Sequence, residues 1–456
     1  MTNKKSPVAI LGAGISGLTT AHVLAQQNVP VTVYEKRDEV GGAIHSTQKD
    51  DWLVEEGPNT LMVRTQKVWD FLAELELDER IREANEAAQK RFIIKNGTAV
   101  VLPNSLGSFL STPLFSAGAK LRLLKEPFIK ASAKEDESIA DFIERRLGKQ
   151  PLDYGVNPFV SGIFAGDPKQ LSIKHTFSKL WEMEQKHGSL VKGMFKKDRS
   201  NTSPRKALIS FDGGNQVLPK ALATELSGAI QTSTTVTSVT SKDGGWQVKA
   251  KTGTENITNQ HDCVVSTIPA YATTGIFENT IFDEFAKLPY APLSVLALGY
   301  KKEQVSHPLD GFGMLVPEVE AYNLLGCLFS STLFERRAPE GHHLITCFIG
   351  GARNPSLASK PKQKLRSIVT SELDELLGIA GDPLFCHHKF WDKAIPQYEV
   401  GYDRFISQME KIERQQQGLY FDGNYRNGVS VPDCISTGMK TAEKVSSFLR
   451  DHNKKT

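Results

Sequence analysis

The spacing of apolar residues changes several times along this chain, and each change marks an element. Val8-Ala9-Ile10-Leu11 is a short continuous apolar run, the pattern of a strand buried on both faces of a parallel sheet. A glycine-rich turn follows, then a helix-compatible stretch over 18–26, and Val31-Thr32-Val33-Tyr34 repeats the strand pattern. Val68, Phe71, Leu72 and Leu75 recur at helical spacing and predict a helix over 67–76. Residues 91–97 read as a strand ending in an Asn-Gly turn, and 120–195 read mainly as helix. Two alternating runs flank Asp243-Gly244-Gly245, which predicts a hairpin over 236–250. Cys263-Val264-Val265-Ser266 reads as a buried strand, and 295–299, 313–316, 324–329 and 344–350 read as further strands. Leu419-Tyr420-Phe421 forms a last short strand, with a helix opening near Gly428 and running to 447. The order predicts an α/β fold whose first sheet is completed by the end of the chain.

The turn after the first strand carries the first chemistry. Gly12-Ala13-Gly14-Ile15-Ser16-Gly17 has GxGxxG spacing between a strand and a helix. Gly12 permits the tight turn, Gly14 a close approach to a pyrophosphate, and Gly17 close helix–strand packing. The phosphate would then sit at the helix N-terminus, where free N–H groups and the dipole favour anions. Glu35 ends the second strand, eighteen residues after Gly17. A carboxylate there accepts ribose hydroxyls and repels a 2′-phosphate. Arg37 and the pair Gly41-Gly42 come next, and a nicotinamide site needs neither. An extended chain passing a flavin dinucleotide does need such glycines. Near the C-terminus the segment 428–435 opens a helix whose first N–H groups suit the electron-rich edge of a flavin ring. These three features point to non-covalently bound FAD.

Composition sets outer bounds. The 456 residues carry a formal net charge of +3, with 39% hydrophobic and 23% charged residues, ordinary for a globular chain of two or three domains. No basic stripe interleaved with aromatics occurs, which excludes a nucleic-acid-binding class. Five scattered cysteines without CxxC spacing fit a reducing compartment and no metal site. The first strand begins almost at once, so no leader is expected and the reading is a bacterial cytoplasmic protein. One stretch departs from this picture. Residues 96–119 hold no charge but include Leu106, Phe109, Leu110, Leu114 and Phe115, and Lys120, Arg122, Lys125 and Lys130 follow. That suits peripheral contact with an anionic lipid surface, or else a core segment followed by a solvated basic helix.

Further motifs carry a resemblance that runs nearly end to end. They are Glu56-Gly57-Pro58-Asn59-Thr60, Asn157-Pro158-Phe159-Val160-Ser161-Gly162-Ile163-Phe164-Ala165-Gly166-Asp167-Pro168, Phe211-Asp212-Gly213-Gly214, Phe348-Ile349-Gly350-Gly351, and Gly423-Asn424-Tyr425 through Asp433-Cys434-Ile435. With them the chain resembles the oxygen-dependent porphyrinogen oxidases, flavoproteins of haem biosynthesis in the amine-oxidase-like superfamily. The resemblance implies a Rossmann-like FAD domain in three pieces (1–90, 206–270 and 401–456). It also implies a mainly helical, membrane-associated domain over 91–205 and a β-sheet substrate domain over 271–400. It implies six-electron oxidation of protoporphyrinogen IX to protoporphyrin IX, with three O₂ giving three H₂O₂ and hydride passing to the flavin. Coproporphyrinogen III is the alternative substrate, a quinone the alternative acceptor, and an amine oxidase or carotenoid desaturase the more distant reading. A homodimer is compatible with all of these.

By the same resemblance, FAD contacts are expected from Gly12 to Gly17, Glu35, Lys36, Gly57, Pro58, Asn59, Thr60, Val236, Trp391, Val429, Ser430 and Val431. Arg91 would meet a propionate, since a guanidinium fork matches a carboxylate. Leu315, Leu328 and Phe348 would hold the tetrapyrrole, and Gly162 would bring backbone near it. No catalytic acid–base residue is expected, because the flavin takes the hydride. The pairs His342-His343 and His387-His388 read as surface or loop residues. Ser161, Ile163 and the polar segment 196–206 depart from common family members and bear on substrate preference.

Overall fold

The computed structural model describes residues 7–195, 205–277 and 282–453; most of the 196–206 segment and the first six residues lie outside the described residues. A five-stranded parallel sheet takes its strands in the order Ile230–Gln231, Val31–Tyr34, Val8–Leu11, Cys263–Ser266 and Leu419–Phe421. Its members come from the beginning, middle and end of the chain. The helices Ile15–Gln26 and Val431–Asn453 pack on this sheet through Leu18, Ala21, Ala442 and Val445. They cross so closely that a Cβ at Gly438 would lie 2.9 Å from the Ser16 carbonyl. The expected hairpin forms from Thr234–Lys242 and Gly245–Thr252, with Asp243 and Gly244 both at positive φ in the turn.

A second sheet has seven strands, in the order Phe385–Pro396, Tyr290–Lys301, His342–Gly350, Leu324–Leu328, Gly313–Leu315, Arg91–Lys95 and Thr98–Val101. Arg91–Lys95 runs parallel to Gly313–Leu315, while the remaining neighbours are antiparallel. The strand expected over 91–97 therefore forms, with Thr98–Val101, an edge of this sheet, although the resemblance assigned 91–205 to a mainly helical domain. One face of this sheet is covered by the helix Lys362–Leu377, whose Leu365, Val369 and Leu373 pack on Phe92, Leu296, Leu298, Ile345 and Cys347.

Short helices follow, among them Ile139–Arg146, Asn157–Phe164 and Ser178–His187. Their core joins Ile139, Phe142, Val160, Phe164 and Leu171 around an ion cluster in which Arg146, Glu126 and Glu184 are fully buried. Arg146 contacts Glu184 at 2.5 Å and Glu126 at 3.0 Å, and Arg145 reaches both Glu137 and Glu184. Burial alone would raise the Glu184 carboxyl, but hydrogen bonds from the two guanidinium groups hold it below its ordinary value. The charge-free run divides between core and surface. Leu114 and Phe115 are buried with Ile93, and Phe109 packs against them. Leu110, Leu121, Leu124 and Phe128 stand exposed, Phe128 by 85%. Among the described residues no helix is long and apolar enough to cross a membrane.

Candidate functional site

The glycine turn has the geometry that its spacing predicts. Gly12 lies at φ +99°, and a Cβ on Gly17 would come within 2.1 Å of the Gly12 carbonyl, so the helix can start where it does only if residue 17 is glycine. Gly14 is different: nothing lies within 4 Å of the place a Cβ would occupy. That free space lies at the start of the helix Ile15–Gln26, where a phosphate would sit. The second glycine pair packs on the first turn, with Gly41 donating to the Ala13 carbonyl at 2.8 Å and a Cβ on Gly42 falling 3.3 Å from the Gly14 Cα. Gly57 packs on Ala43 in turn, where a Cβ would lie 1.9 Å from the carbonyl oxygen.

Glu35 is buried at the end of its strand. Its Oε2 accepts the Ala13 N–H at 2.8 Å and its Oε1 the Arg37 N–H at 2.9 Å. A carboxylate has about four acceptor positions, so both oxygens can still accept ribose hydroxyls. Val236 is two residues beyond Thr234, whose N–H bonds the Glu35 carbonyl at 2.8 Å. Val431 is buried in the same cluster as Ala13 and Ile15, and Ser430 caps the C-terminal helix by accepting the Asp433 N–H. Trp391 donates to the Glu56 carbonyl at 2.7 Å and lies beneath both Arg37 and Lys389, which joins the second sheet to the 57–60 turn. Asn59 closes that turn onto the Gly57 carbonyl at 2.9 Å. Lys36 is exposed. The open space at Gly14, the acceptor capacity of Glu35 and the capped C-terminal helix fit a flavin dinucleotide.

The substrate candidates share one face of the seven-stranded sheet, opposite the helix Lys362–Leu377. Cross-strand register places Arg91, Gly313, Leu328, Thr346, Ala297 and His387 in one row. The next row holds Leu315, Gly326, Phe348, Val295 and Lys389. Trp391 sits one step further along the same face, beside Leu293. Gly162, on the helix Asn157–Phe164, closes on this face, where a Cβ would come within 2.7 Å of the Leu315 side chain. Ser161 accepts from Arg353 at 2.8 Å, while Ile163 is exposed. Arg91 is exposed over the Phe312 ring, and no carboxylate among the described residues pairs with it. A cavity between Asn59 and Leu328 adjoins both the flavin turn and this face, with Glu55 and Arg337 in its wall.

The histidine pairs lie on strands, not in loops, and are half-buried. His387 and His388 lie on the strand Phe385–Pro396, and alternation sends them to opposite faces. The first meets Glu56 at 2.9 Å and the second Ser294 at 2.9 Å. His342 and His343 begin the strand His342–Gly350, and partial burial lowers the basicity of His343. Sequence reading also missed Glu55, Arg337 and Lys389 as partners in this region. The signal was two acids ending the buried run Trp52-Leu53-Val54, an unusual place for paired carboxylates.

The chain belongs to the flavin-containing amine oxidoreductase family, whose model matches residues 15–446. It is therefore an FAD-dependent oxidoreductase. Within that family it stands in the porphyrinogen oxidase branch. It is 34% identical to protoporphyrinogen oxidase 2, chloroplastic/mitochondrial, of Arabidopsis thaliana, over 97% of this chain and 94% of that protein. It is 27% identical to the coproporphyrinogen III oxidase of Bacillus subtilis (strain 168), over 98% of this chain and 100% of that protein. A crystal structure from Exiguobacterium sp. 255-15 superimposes with a TM-score of 0.82 at 24% identity, covering 99% of this chain and 100% of that one, and supports the fold.

Proposed function

We propose that this protein oxidises protoporphyrinogen IX to protoporphyrin IX in haem biosynthesis, with O₂ as acceptor. The observation that carries the reading is the single sheet face on which Arg91, Leu315, Leu328, Phe348 and Trp391 fall in register, with Gly162 closing on it. A broad, mostly apolar wall with the Arg91 guanidinium at its edge, paired with no carboxylate among the described residues, suits a disc-shaped macrocycle with propionates on one side. Bound FAD supplies the two-electron acceptor for each of three successive oxidations. The protein holds the ring, orients a meso carbon and keeps water away, and this chemistry needs no acid–base pair. Anaerobic mixing of the yellow protein with protoporphyrinogen IX and, separately, coproporphyrinogen III tests it: faster bleaching by the first is expected. Faster bleaching by the second reassigns the substrate, and no bleaching by either ends the proposal. Readmitted air should restore the colour with release of H₂O₂.

The exposed residues Leu110, Leu121, Leu124 and Phe128, with Lys125 and Lys130 beside them, support peripheral contact with an anionic membrane. Lys120 and Arg122 contribute less, because both donate to backbone carbonyls of the same region. Replacing Leu124 and Phe128 with Asp should reduce co-sedimentation with phosphatidylglycerol vesicles several-fold while leaving catalysis in detergent intact.

A further inference from the structure

Two consecutive carboxylates, Glu55 and Glu56, precede the 57–60 turn, and they are only 4% and 5% exposed. They engage different partners. Glu55 Oε1 lies 2.6 Å from Arg337 and accepts the Asn215 N–H at 2.9 Å, and Oε2 accepts the Ser46 hydroxyl at 2.6 Å. Glu56 Oε1 accepts the Thr47 hydroxyl at 2.9 Å and meets His387 at 2.9 Å, while Oε2 lies 3.0 Å from Lys389 and 3.2 Å from His45. Arg337, His387 and Lys389 all come from the seven-stranded sheet or the loop before its strand His342–Gly350. A carboxylate taken out of water must keep its cation, so these pairings fix where residues 55 and 56 can sit.

Apolar contacts fix the same register. Trp52 lies against Gly299 and stacks on Phe385 at 4.9 Å, and the Leu53 N–H bonds the Arg337 carbonyl at 3.2 Å. Hydrogen bonds carry this placement on into the turn. Arg337 also donates to the Ser210 hydroxyl, Ser210 to Asn215 Oδ1 at 2.8 Å, and Asn215 Nδ2 to the Pro58 carbonyl at 2.8 Å. The Glu56 carbonyl takes the Trp391 N–H. Both ends of the turn's approach are thus tied to the sheet that carries Leu328 and Phe348.

We infer that Glu55 and Glu56 are positioning residues that lock the flavin-side turn to the substrate face and so set the separation across which hydride moves. The inference rests on the porphyrinogen reading above. Hydride transfer is steep in distance, with a misplacement of about 1 Å costing roughly 10²-fold. The test uses the FAD-loaded variants Glu55→Asp and Glu56→Asp, which keep each charge but draw it back by one methylene, and Arg337→Lys, which loses the fork. Expected is an anaerobic reduction rate at least about tenfold lower, with unchanged FAD stoichiometry, KM within twofold and a shifted visible circular dichroism of the bound flavin. Full-rate reduction overturns the inference, as does loss of FAD in step with rate (a role in the scaffold only) or a rise in KM alone. If the wild type is reduced by neither porphyrinogen, the substrate reading has failed, and the dichroism then decides: an unshifted band overturns the inference.

Discussion

The flavin cradle and the proposed substrate face are built on opposite principles. The cradle is a backbone device: its work is done by glycines that lack a side chain and by N–H groups at helix starts. Gly17 and Gly57 are required because a Cβ would collide with a carbonyl, and Gly12 because its φ of +99° disfavours any other residue, whereas Gly14 leaves space for a ligand. The face proposed for substrate is a side-chain device assembled by register. Arg91, Leu315, Leu328, Phe348 and Trp391 come from five strands, scattered from residue 91 to residue 391. A local fault in the cradle therefore removes the cofactor altogether, whereas a fault on the face alters how one substrate is held. The two regions should fail in different observables.

The largest effect belongs to the cradle, and two of its glycines should separate ligand space from fold. Gly14→Leu places a side chain where nothing now lies, so the apoprotein should fold with an unchanged melting temperature while FAD affinity falls by more than about 100-fold. Gly17→Val pushes a Cβ into the Gly12 carbonyl and should lower the melting temperature of the apoprotein as well. Flavin absorbance after gel filtration, together with calorimetry of the apo forms, reads both. Retained yellow colour in Gly14→Leu would contradict the assignment of that space to the pyrophosphate.

Arg91→Ala comes next and should leave the cofactor alone. Loss of a charge-assisted contact to a carboxylate costs about 1.5–3 kcal/mol, so KM for the porphyrinogen should rise roughly 10- to 100-fold at unchanged FAD content. An unchanged KM would remove Arg91 from the face. Arg91→Lys sharpens the point: if the planar fork matters, lysine should recover only part of the loss.

The same contrast explains how much could be read from the chain alone. The strand, glycine turn, helix and Glu35 are contiguous, so residue spacing alone reports them. The helix Val431–Asn453 and its opening segment were likewise visible from local pattern. The substrate face was not, because register across a sheet is set by partners hundreds of residues away and is shifted by irregularities. One such shift falls between Leu324 and Gly326 and another between Ala291 and Leu293. Either one changes which residues look toward the cleft, and alternation in the sequence does not reveal them. Five residues of this face were anticipated only through family resemblance. Glu55, Arg337 and Lys389 lay outside the motifs that carried it. The charge-free run stayed open between core and lipid surface for a related reason: its elements are short, with Leu110 exposed on the helix Leu106–Ser111 and Phe115 buried in the turn before Ala117–Leu123, and so little periodicity does not separate the two.

The smallest expected effect lies at the seam between the two regions. Burial would raise the Glu56 carboxyl, but hydrogen bonds from Lys389 and Thr47 and the nearby charges of Lys389 and His45 bring it below the ordinary carboxylate value. A depressed value in the folded state means that the carboxylate's contribution is fully present above the unfolded value of about 4.3 and is lost as pH falls through the folded one. Glu56→Gln removes that dependence. Its melting temperature should be lower than that of the wild type at pH 7, and the gap should narrow by about one to two degrees on acidification from pH 6 to pH 3. A gap of constant size across that window would mean that Glu56 holds the seam by hydrogen bonding alone. In that event the charge of Lys389 would serve Trp391, above whose ring it lies at 5.0 Å, and not the carboxylate.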